Sequence, residues 1–141
     1  MHYLDTSVLV SALTTERAAP KVREWLASHE EFFISPWVQT EFASTLSRKW
    51  RAGELDEKGR AVAKAGFERL ALESLVIVQI ESKHFAAAGE LCETESGLRS
   101  SDALHLAIAR EKGLTLVSRD ARFVAATRSV GHDAINPDEA A

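Results

Sequence analysis

The sequence predicts an α/β fold with a mainly parallel central sheet of four or five strands, flanked by helices on both faces in three layers. Two observations predict it: short apolar segments recur along the 141 residues, and helical apolar spacing fills the intervals between them. Composition agrees, because 45% hydrophobic and 27% charged residues are ordinary for one globular core. We expect a single domain over residues 1–136 and a C-terminal tail over residues 137–141.

Five segments are expected to form strands. Each is short and apolar, and LVIVQI has the strongest strand character because it is continuous and β-branched. The segments are residues 2–5, 32–34, 75–80, 114–118 and, as a possible last strand, 132–136.

The intervening segments have the spacing and the end signals of helices. Ser35 is expected to cap a helix that Pro36 opens and that ends before Gly53. The expected helices are residues 6–13, a segment opened by Pro20, residues 36–52, a segment capped by Asp56, and residues 82–95, 100–113 and 121–128.

Composition also limits the kind of site and the location of the protein. Cys92 is the only cysteine, which excludes an intrachain disulfide and a four-cysteine zinc site, and the five histidines have no paired spacing. No signal peptide or membrane-length apolar run is evident, so we expect a cytoplasmic protein and no membrane partner. With a net charge of −4, binding of nucleic acid would require locally clustered Lys and Arg.

Four acidic residues are expected to meet at one rim of the sheet. Asp5 ends the first strand, Asp120 follows a later strand, and Asp102 lies in the first turn of a helix that begins at the same rim. On a helical wheel, Glu41 lies at the margin of an apolar stripe, where it could point into a cleft.

Each acid also has a purely structural interpretation. Asp5 and Asp102 could cap helices, Asp120 could be an ordinary turn residue, and Glu41 could lie in water. His105 is surrounded by apolar residues in ALHLAIA, and we interpret it as a hydrogen-bonded core histidine rather than a ligand.

Taken together, the acids indicate a divalent metal site. Converging carboxylates repel one another unless cations bridge them, and oxygen ligands select Mg²⁺ or Mn²⁺. A carboxylate-held Mg²⁺ keeps bound water, and such a water with a lowered pKa is a nucleophile suited to attack on a phosphodiester. The pattern therefore favours a metal-dependent phosphodiesterase.

The sequence resembles the PIN domain and, more closely, the VapC toxins of bacterial toxin–antitoxin pairs. The matching stretches cover nearly the whole chain: YLDTSVLV at 3–10, Glu41 after PWVQT, LRSSDALHLAIA at 98–109 and LVSRD at 116–120.

This resemblance implies an endoribonuclease with an acidic quartet that holds Mg²⁺ or Mn²⁺, formed by Asp5, Glu41, Asp102 and Asp120. It implies that Thr6 supports the site and that Ser118 occupies a position that is usually Ser or Thr. The family cleaves RNA, typically a structured RNA such as a tRNA. Its members usually form homodimers, and a small VapB-type antitoxin blocks the active site and binds operator DNA.

Basic residues cluster near the expected site despite the net negative charge. Arg99 lies beside Asp102 in the sequence, and Arg119 and Arg122 flank Asp120, so these arginines are candidates for contacts with substrate phosphates. The run RKWR at 48–51 is interpreted as cations at a helix C-terminus.

Three other functions fit the sequence less well. A haloacid-dehalogenase-type phosphatase needs a second Asp where Ser7 stands. A receiver-like phospho-acceptor needs an Asp after the middle strand, where Glu81 stands, and a late Lys, where the chain has Ser118 and Arg119. A catalytically silent PIN-fold interaction module is disfavoured because all four acids are present.

Overall fold

The computed structural model describes residues 1–139 and confirms the α/β class. Five strands form one sheet in the order β3-β2-β1-β4-β5, and all neighbouring pairs are parallel. The strands are β1 (His2–Leu4), β2 (Phe32–Ile34), β3 (Leu75–Ile77), β4 (Thr115–Val117) and β5 (Ala134–Ile135).

Seven helices connect and cover these strands within residues 1–139. They are α1 (Thr6–Leu13), α2 (Ala19–Ala27), α3 (Pro36–Arg51), α4 (Glu57–Glu73), α5 (Ser82–Cys92), α6 (Ser100–Glu111) and α7 (Ala121–Ser129).

The helices divide between the two faces of the sheet, which gives three layers. Tyr3 and Leu4 are both fully buried but point to opposite faces, because side chains alternate along a strand. The Tyr3 face is covered by residues of α5, α6 and α7, and the Leu4 face by residues of α1, α2, α3 and α4. Both faces are therefore closed to solvent by apolar packing.

The strand order changes direction at β1, which is the topological switch point of the sheet. β1 pairs with β2 on one side and with β4 on the other. In parallel α/β sheets, ligands bind at such a switch point, outside the carboxyl ends of the strands. The backbone N–H of Asp5 donates to the Val117 carbonyl at 2.9 Å, so the residues after β1 and β4 are neighbours at this rim.

Four of the five expected strands are shorter than predicted, and only the strand over 32–34 has the expected bounds. The segment 75–80 forms a strand only over Leu75–Ile77, because β3 lies at the sheet edge and pairs with β2, which is itself three residues long. The N–H of Val78 still donates to the Ile34 carbonyl at 2.8 Å, after which the chain turns into α5. Val76 and Ile77 are 51% and 37% exposed, so their β-branched character does not indicate a buried strand.

The expected helix ends are mostly found within a few residues. Asp56 caps α4 by accepting from the Gly59 N–H at 2.7 Å, as predicted. The helices expected to reach residues 95 and 113 end at Cys92 and Glu111; Gly113 follows the second with a φ of +65°, a conformation that favours glycine. Ser35 occupies the cap position of α3, but its side chain does not cap the helix.

The C-terminal segment contacts the body of the protein as far as it is described. Residues 137–139 form a turn, and the Asp138 carboxylate accepts from Arg119 Nε at 3.0 Å. Ala140 and Ala141, which belong to the expected tail, lie outside the described residues. The division into a domain over residues 1–136 and a tail stays a prediction. Among residues 1–139, no helix has the length and apolar character required to cross a bilayer.

Candidate metal centre

Asp5 is fixed at the end of β1 by two hydroxyl groups. Ser118 Oγ and Ser7 Oγ donate to Asp5 Oδ2 at 2.7 and 2.8 Å. Although Asp5 occupies the N-cap position of α1, its side chain accepts no capping hydrogen bond. Asp5 is 7% exposed, and its Oδ1 atom lies 3.8 Å from His105 Nε2. The capping interpretation therefore does not describe this residue.

Glu41 points from α3 into the same region. Thr6 Oγ1 donates to Glu41 Oε1 at 2.8 Å, and His105 Nε2 contacts the same oxygen. Burial raises the pKa of Glu41, but the hydrogen bond and the charge of His105 outweigh burial and hold that pKa below its ordinary value. The side chain of Glu41 is 24% exposed, so it is neither a core residue nor a freely solvated one.

His105 contacts the site, although the sequence predicted only a core position for it. It is fully buried and hydrogen-bonded, as predicted, but one of its partners is the Glu41 carboxylate. Burial lowers the pKa of His105, and contact with Glu41 together with the charge of Asp5 raises it above its ordinary value.

Asp120 uses one carboxylate oxygen to cap α7. Its Oδ1 accepts from the backbone N–H groups of Arg122 and Phe123 at 2.9 and 3.2 Å. Its Oδ2 lies 3.8 Å from the Arg99 guanidinium. Asp120 is therefore a helix cap rather than the ordinary turn residue considered for it, and it still presents a second oxygen to the rim.

Asp102 lies in the first turn of α6, and its surroundings perturb its pKa. Burial, the charge of Asp5 and the charge of Asp120 raise its pKa from 3.8 to about 6. The charges of His105 and Arg99 lower this pKa but do not offset the increase; Arg99 lies 4.0 Å from the carboxylate and is 70% exposed. Asp102 is thus a carboxyl group without sufficient local positive charge.

The four acids occupy two adjoining depressions. A cleft of about 290 Å³ is lined by Asp5, Glu41 and Asp120, and a smaller one of about 80 Å³ by Asp102 and Asp120. Asp120 is common to both, so the structure places the predicted residues around one continuous rim.

The donor set fits a metal cation. Asp5, Glu41 and His105 each offer one ligand atom, and these atoms lie within 4.8 Å of one another. The raised pKa of Asp102 has the charges of Asp5 and Asp120 among its causes, and a cation would relieve this repulsion. Carboxylates are therefore placed to bind a metal ion, although Asp102 and Asp120 are not part of the compact group.

The arginines near the site differ in whether internal carboxylates already pair with them. Arg119 donates to Glu16 at 2.8 Å and to Asp138 at 3.0 Å, so internal carboxylates already neutralise it. Arg122 is exposed and lines the smaller depression beside Asp102 and Asp120.

Glu16 and Arg48 are among the residues of the cleft that were not expected from the sequence. Glu16, between α1 and α2, accepts from Lys49 and Arg119 at 2.9 and 2.8 Å. Arg48 lines the cleft and is exposed, rather than serving only as a cation at a helix end. Helical spacing carries the signal for Arg48, because positions 41, 45 and 48 share one face of α3.

Comparison with known proteins agrees with the fold. Residues 2–128 match the family model of the PIN domain. The chain therefore belongs to the PIN-domain family, as its motifs indicated. It is 31% identical over 138 residues to ribonuclease VapC46 of Mycobacterium tuberculosis (strain ATCC 25618 / H37Rv), and the match covers 96% of each protein.

Solved structures share the same fold. FitAcB from Neisseria gonorrhoeae superposes with a TM-score of 0.76 at 21% identity, over 99% of this chain and 100% of that chain. VapC20 of Mycobacterium tuberculosis, a toxin that cleaves the sarcin–ricin loop, has a TM-score of 0.73 at 17% identity, over 94% and 96%. VapBC2 from Rickettsia felis, bound to a promoter DNA fragment, has a TM-score of 0.66 at 24% identity, over 96% and 98%.

The receiver-like alternative is not favoured by these findings. The family match covers most of the chain, and the strand order β3-β2-β1-β4-β5 differs from the 2-1-3-4-5 order of flavodoxin-like receiver folds.

Proposed function

We propose that this protein is a metal-dependent endoribonuclease and the toxin of a toxin–antitoxin pair. The observation that carries the proposal is the convergence of carboxylates from separate segments at the switch point of a PIN fold. Asp5 follows β1, Glu41 lies on α3, Asp102 on α6, and Asp120 follows β4. A merely structural role does not require four acids at one rim, where they repel one another.

In this proposal Asp5, Glu41, Asp102 and Asp120 hold Mg²⁺ or Mn²⁺. The ion, when bound, supplies Lewis-acid stabilisation of a phosphodiester and lowers the pKa of water. The chain's own hydroxyl groups orient the ligands: Ser7 and Ser118 hold Asp5 Oδ2, and Thr6 holds Glu41 Oε1. Each of these two carboxylates thereby keeps its other oxygen for the ion.

The substrate side of the cleft is proposed to be the basic surface beside the acids. Arg48 stands two helical turns from Glu41 on the same face of α3, about 10 Å along the helix axis, a distance suited to a neighbouring phosphate. Arg122 and Arg99 border the opposite depression. Of the arginines predicted from the sequence, these two are better suited to RNA contact than Arg119, which is already paired.

The partners follow from the relatives. We propose a structured RNA as substrate, possible sources being tRNA and ribosomal RNA, since VapC20 is named for cleavage of the sarcin–ricin loop. We propose a homodimer and a small VapB-type antitoxin that blocks the cleft and carries the operator-DNA binding, as complexes of the VapBC and FitAB type suggest. The cytoplasmic location stays a prediction.

A cleavage assay tests the function. The protein is purified under denaturing conditions and refolded, so that no bound antitoxin silences it, and is incubated with tRNA and ribosomal RNA plus Mg²⁺ or Mn²⁺. Discrete cleavage that is abolished by chelator and by Asp5→Asn is expected. Asp56→Asn, which alters only the cap of α4, serves as the matched control and retains activity.

The same assay decides between the proposal and its alternatives. Wild-type protein that shows reversible metal binding but cuts no RNA in any metal would support the silent interaction module. Labelling of an aspartate by acetyl phosphate without cleavage would support the receiver-like function.

A further inference from the structure

His105 joins the hydrophobic core to the candidate metal centre. Its side chain is fully buried on α6, among apolar residues that cover one face of the sheet. A histidine enclosed in this way needs partners for both ring nitrogens, because an unpaired buried polar group is costly. The partners that it has lie on opposite sides of the ring and belong to different parts of the chain.

On the core side, the ring is held by a hydroxyl pair. His105 Nδ1 lies 2.7 Å from the Tyr3 hydroxyl, which in turn donates to Ser35 Oγ at 2.8 Å. Tyr3 and Ser35 are both fully buried, and neither lines the cleft. Burial is the main cause that raises the pKa of Tyr3 above its ordinary value, so this hydroxyl stays neutral.

On the cleft side, the ring meets a carboxylate. His105 Nε2 is hydrogen-bonded with Glu41 Oε1, the same oxygen that accepts from Thr6. The Glu41 Oε2 atom is left for another partner. The chain Ser35–Tyr3–His105–Glu41 is thus a continuous relay of side-chain hydrogen bonds from the core to the cleft, and we call it the Glu41 relay.

We propose that His105 is a positioning residue that, braced by Tyr3 and Ser35, fixes the Glu41 carboxylate for binding of a divalent cation. This inference rests on the proposed function, because it assumes that Glu41 is a ligand. A free glutamate has rotatable bonds whose ordering opposes metal binding, and the relay makes that ordering part of folding rather than of metal binding. Residues that orient metal ligands in this manner typically change affinity or activity by about 10- to 100-fold when replaced.

The relay also explains why Ser35 does not cap α3. A serine at an N-cap position ordinarily accepts from the backbone of its own helix. Here the Ser35 hydroxyl accepts a hydrogen bond from Tyr3 and makes no capping hydrogen bond to α3. Ser35 is thus the terminal member of the relay.

Three variants test the inference in the full-length protein. Tyr3→Phe removes the brace and leaves the ring of His105 in place, and His105→Gln keeps a side chain that can still donate to Glu41. His132→Gln is the matched control: His132 is partly buried, its Nε2 contacts the Leu114 carbonyl at 2.8 Å, and it lines neither depression of the site. Each protein is titrated with Mn²⁺ by calorimetry, examined by electron paramagnetic resonance, and assayed for kcat and KM.

We expect Tyr3→Phe to weaken Mn²⁺ affinity about 10-fold or more, to lower kcat and to leave the KM for RNA unchanged. His105→Gln, which keeps a donor to Glu41, should weaken Mn²⁺ affinity less. The His132→Gln control keeps wild-type Mn²⁺ affinity. Unchanged affinity in both relay variants would overturn the inference, as would an equal loss in the control. A nitrogen hyperfine coupling to bound Mn²⁺ would also overturn it, because His105 would then be a ligand itself.

A metal-free measurement separates this inference from the proposed function. In the protein without metal, the ring nitrogen NMR signals of His105 should shift on Tyr3→Phe and again on Glu41→Gln. Shifts in both variants would confirm the hydrogen bonds of the relay. If the same protein binds no metal and cleaves no RNA, the proposed nuclease function is refuted, and the positioning role of His105 is overturned with it. Unchanged ring signals in an active nuclease would overturn the relay alone.

Discussion

Ser118 donates a 2.7 Å hydrogen bond to Asp5 although the two residues are 113 positions apart in the chain. The contact exists because β1 and β4 are parallel neighbours, with Leu4 opposite Val117, so the residues that follow them emerge side by side. Ser118 Oγ also accepts from the Asp120 N–H at 3.1 Å. One hydroxyl therefore links two of the proposed ligands and sets their relative position.

Replacing this hydroxyl tests its role. Ser118→Ala should weaken Mg²⁺ affinity about 10-fold and lower the free energy of unfolding by about 1 kcal/mol, since a buried hydrogen bond to a charged group is lost. Calorimetry and chemical denaturation measure the two effects. Thr127→Val is the control, because the buried Thr127 hydroxyl has no hydrogen-bond partner among residues 1–139, and its loss should cost neither affinity nor stability.

Asp102→Asn should stabilise the metal-free protein at neutral pH. The pKa of Asp102 is raised from 3.8 to about 6 in the folded protein, so between these values the folded state binds more protons than the unfolded state. The contribution of Asp102 to stability therefore falls as pH rises from about 4 to 6 and stays low above that range. At pH 7 the variant should be more stable by about 1 to 3 kcal/mol, and the difference should vanish below about pH 4. A variant that is less stable than wild type at pH 7 would contradict this account of Asp102.

Metal affinity should rise with pH through the same range. Asp102 must lose its proton to bind a cation, so Mg²⁺ or Mn²⁺ binding near pH 6 should release protons. Calorimetry in two buffers of different ionisation enthalpy measures the release, and Asp102→Asn should abolish most of it. Affinity that is constant between pH 5 and pH 7 would show that Asp102 does not contact the ion.

Arg48 and Arg119 should respond differently to replacement by Ala. Arg48→Ala should raise the KM for RNA several-fold with little change in stability, because the side chain is exposed beside the cleft. Arg119→Ala should lower the free energy of unfolding by about 1 to 2 kcal/mol, because it breaks partly buried contacts with Glu16 and Asp138. Steady-state kinetics and denaturation on both variants measure these effects, and a reversed pattern would assign RNA contact to Arg119 instead.

The sequence predicted the fold because its signals are local. Apolar runs such as residues 32–34 and 114–118 and the helical spacing between them are sufficient to define parallel strands with covering helices. The position of the acids followed from a rule about such sheets, that loops at the carboxyl ends meet at one rim. The strand over 75–80 was predicted too long because an edge strand can be no longer than the paired part of its neighbour.

The relay and the ion pairs of the cleft could not be predicted in this way. His105 was recognised as a buried, hydrogen-bonded histidine, but its partners Tyr3 and Glu41 come from 102 and 64 positions away, and no local pattern specifies them. Arg119 was a candidate for substrate contact because it is next to Asp120, and only the folded chain reveals its pairing with Glu16. Long-range polar contacts depend on the exact packing of layers, which periodicity does not encode.

The most direct test of the central claim is the position of Mn²⁺ in a crystal of the protein, located by its anomalous scattering. We predict a peak at the switch point, within about 2.3 Å of oxygens of Asp5 and at least one other member of the acidic quartet, in a hydrated octahedral site. A peak elsewhere on the protein with none at Asp5, at a Mn²⁺ concentration that supports RNA cleavage, would contradict the account.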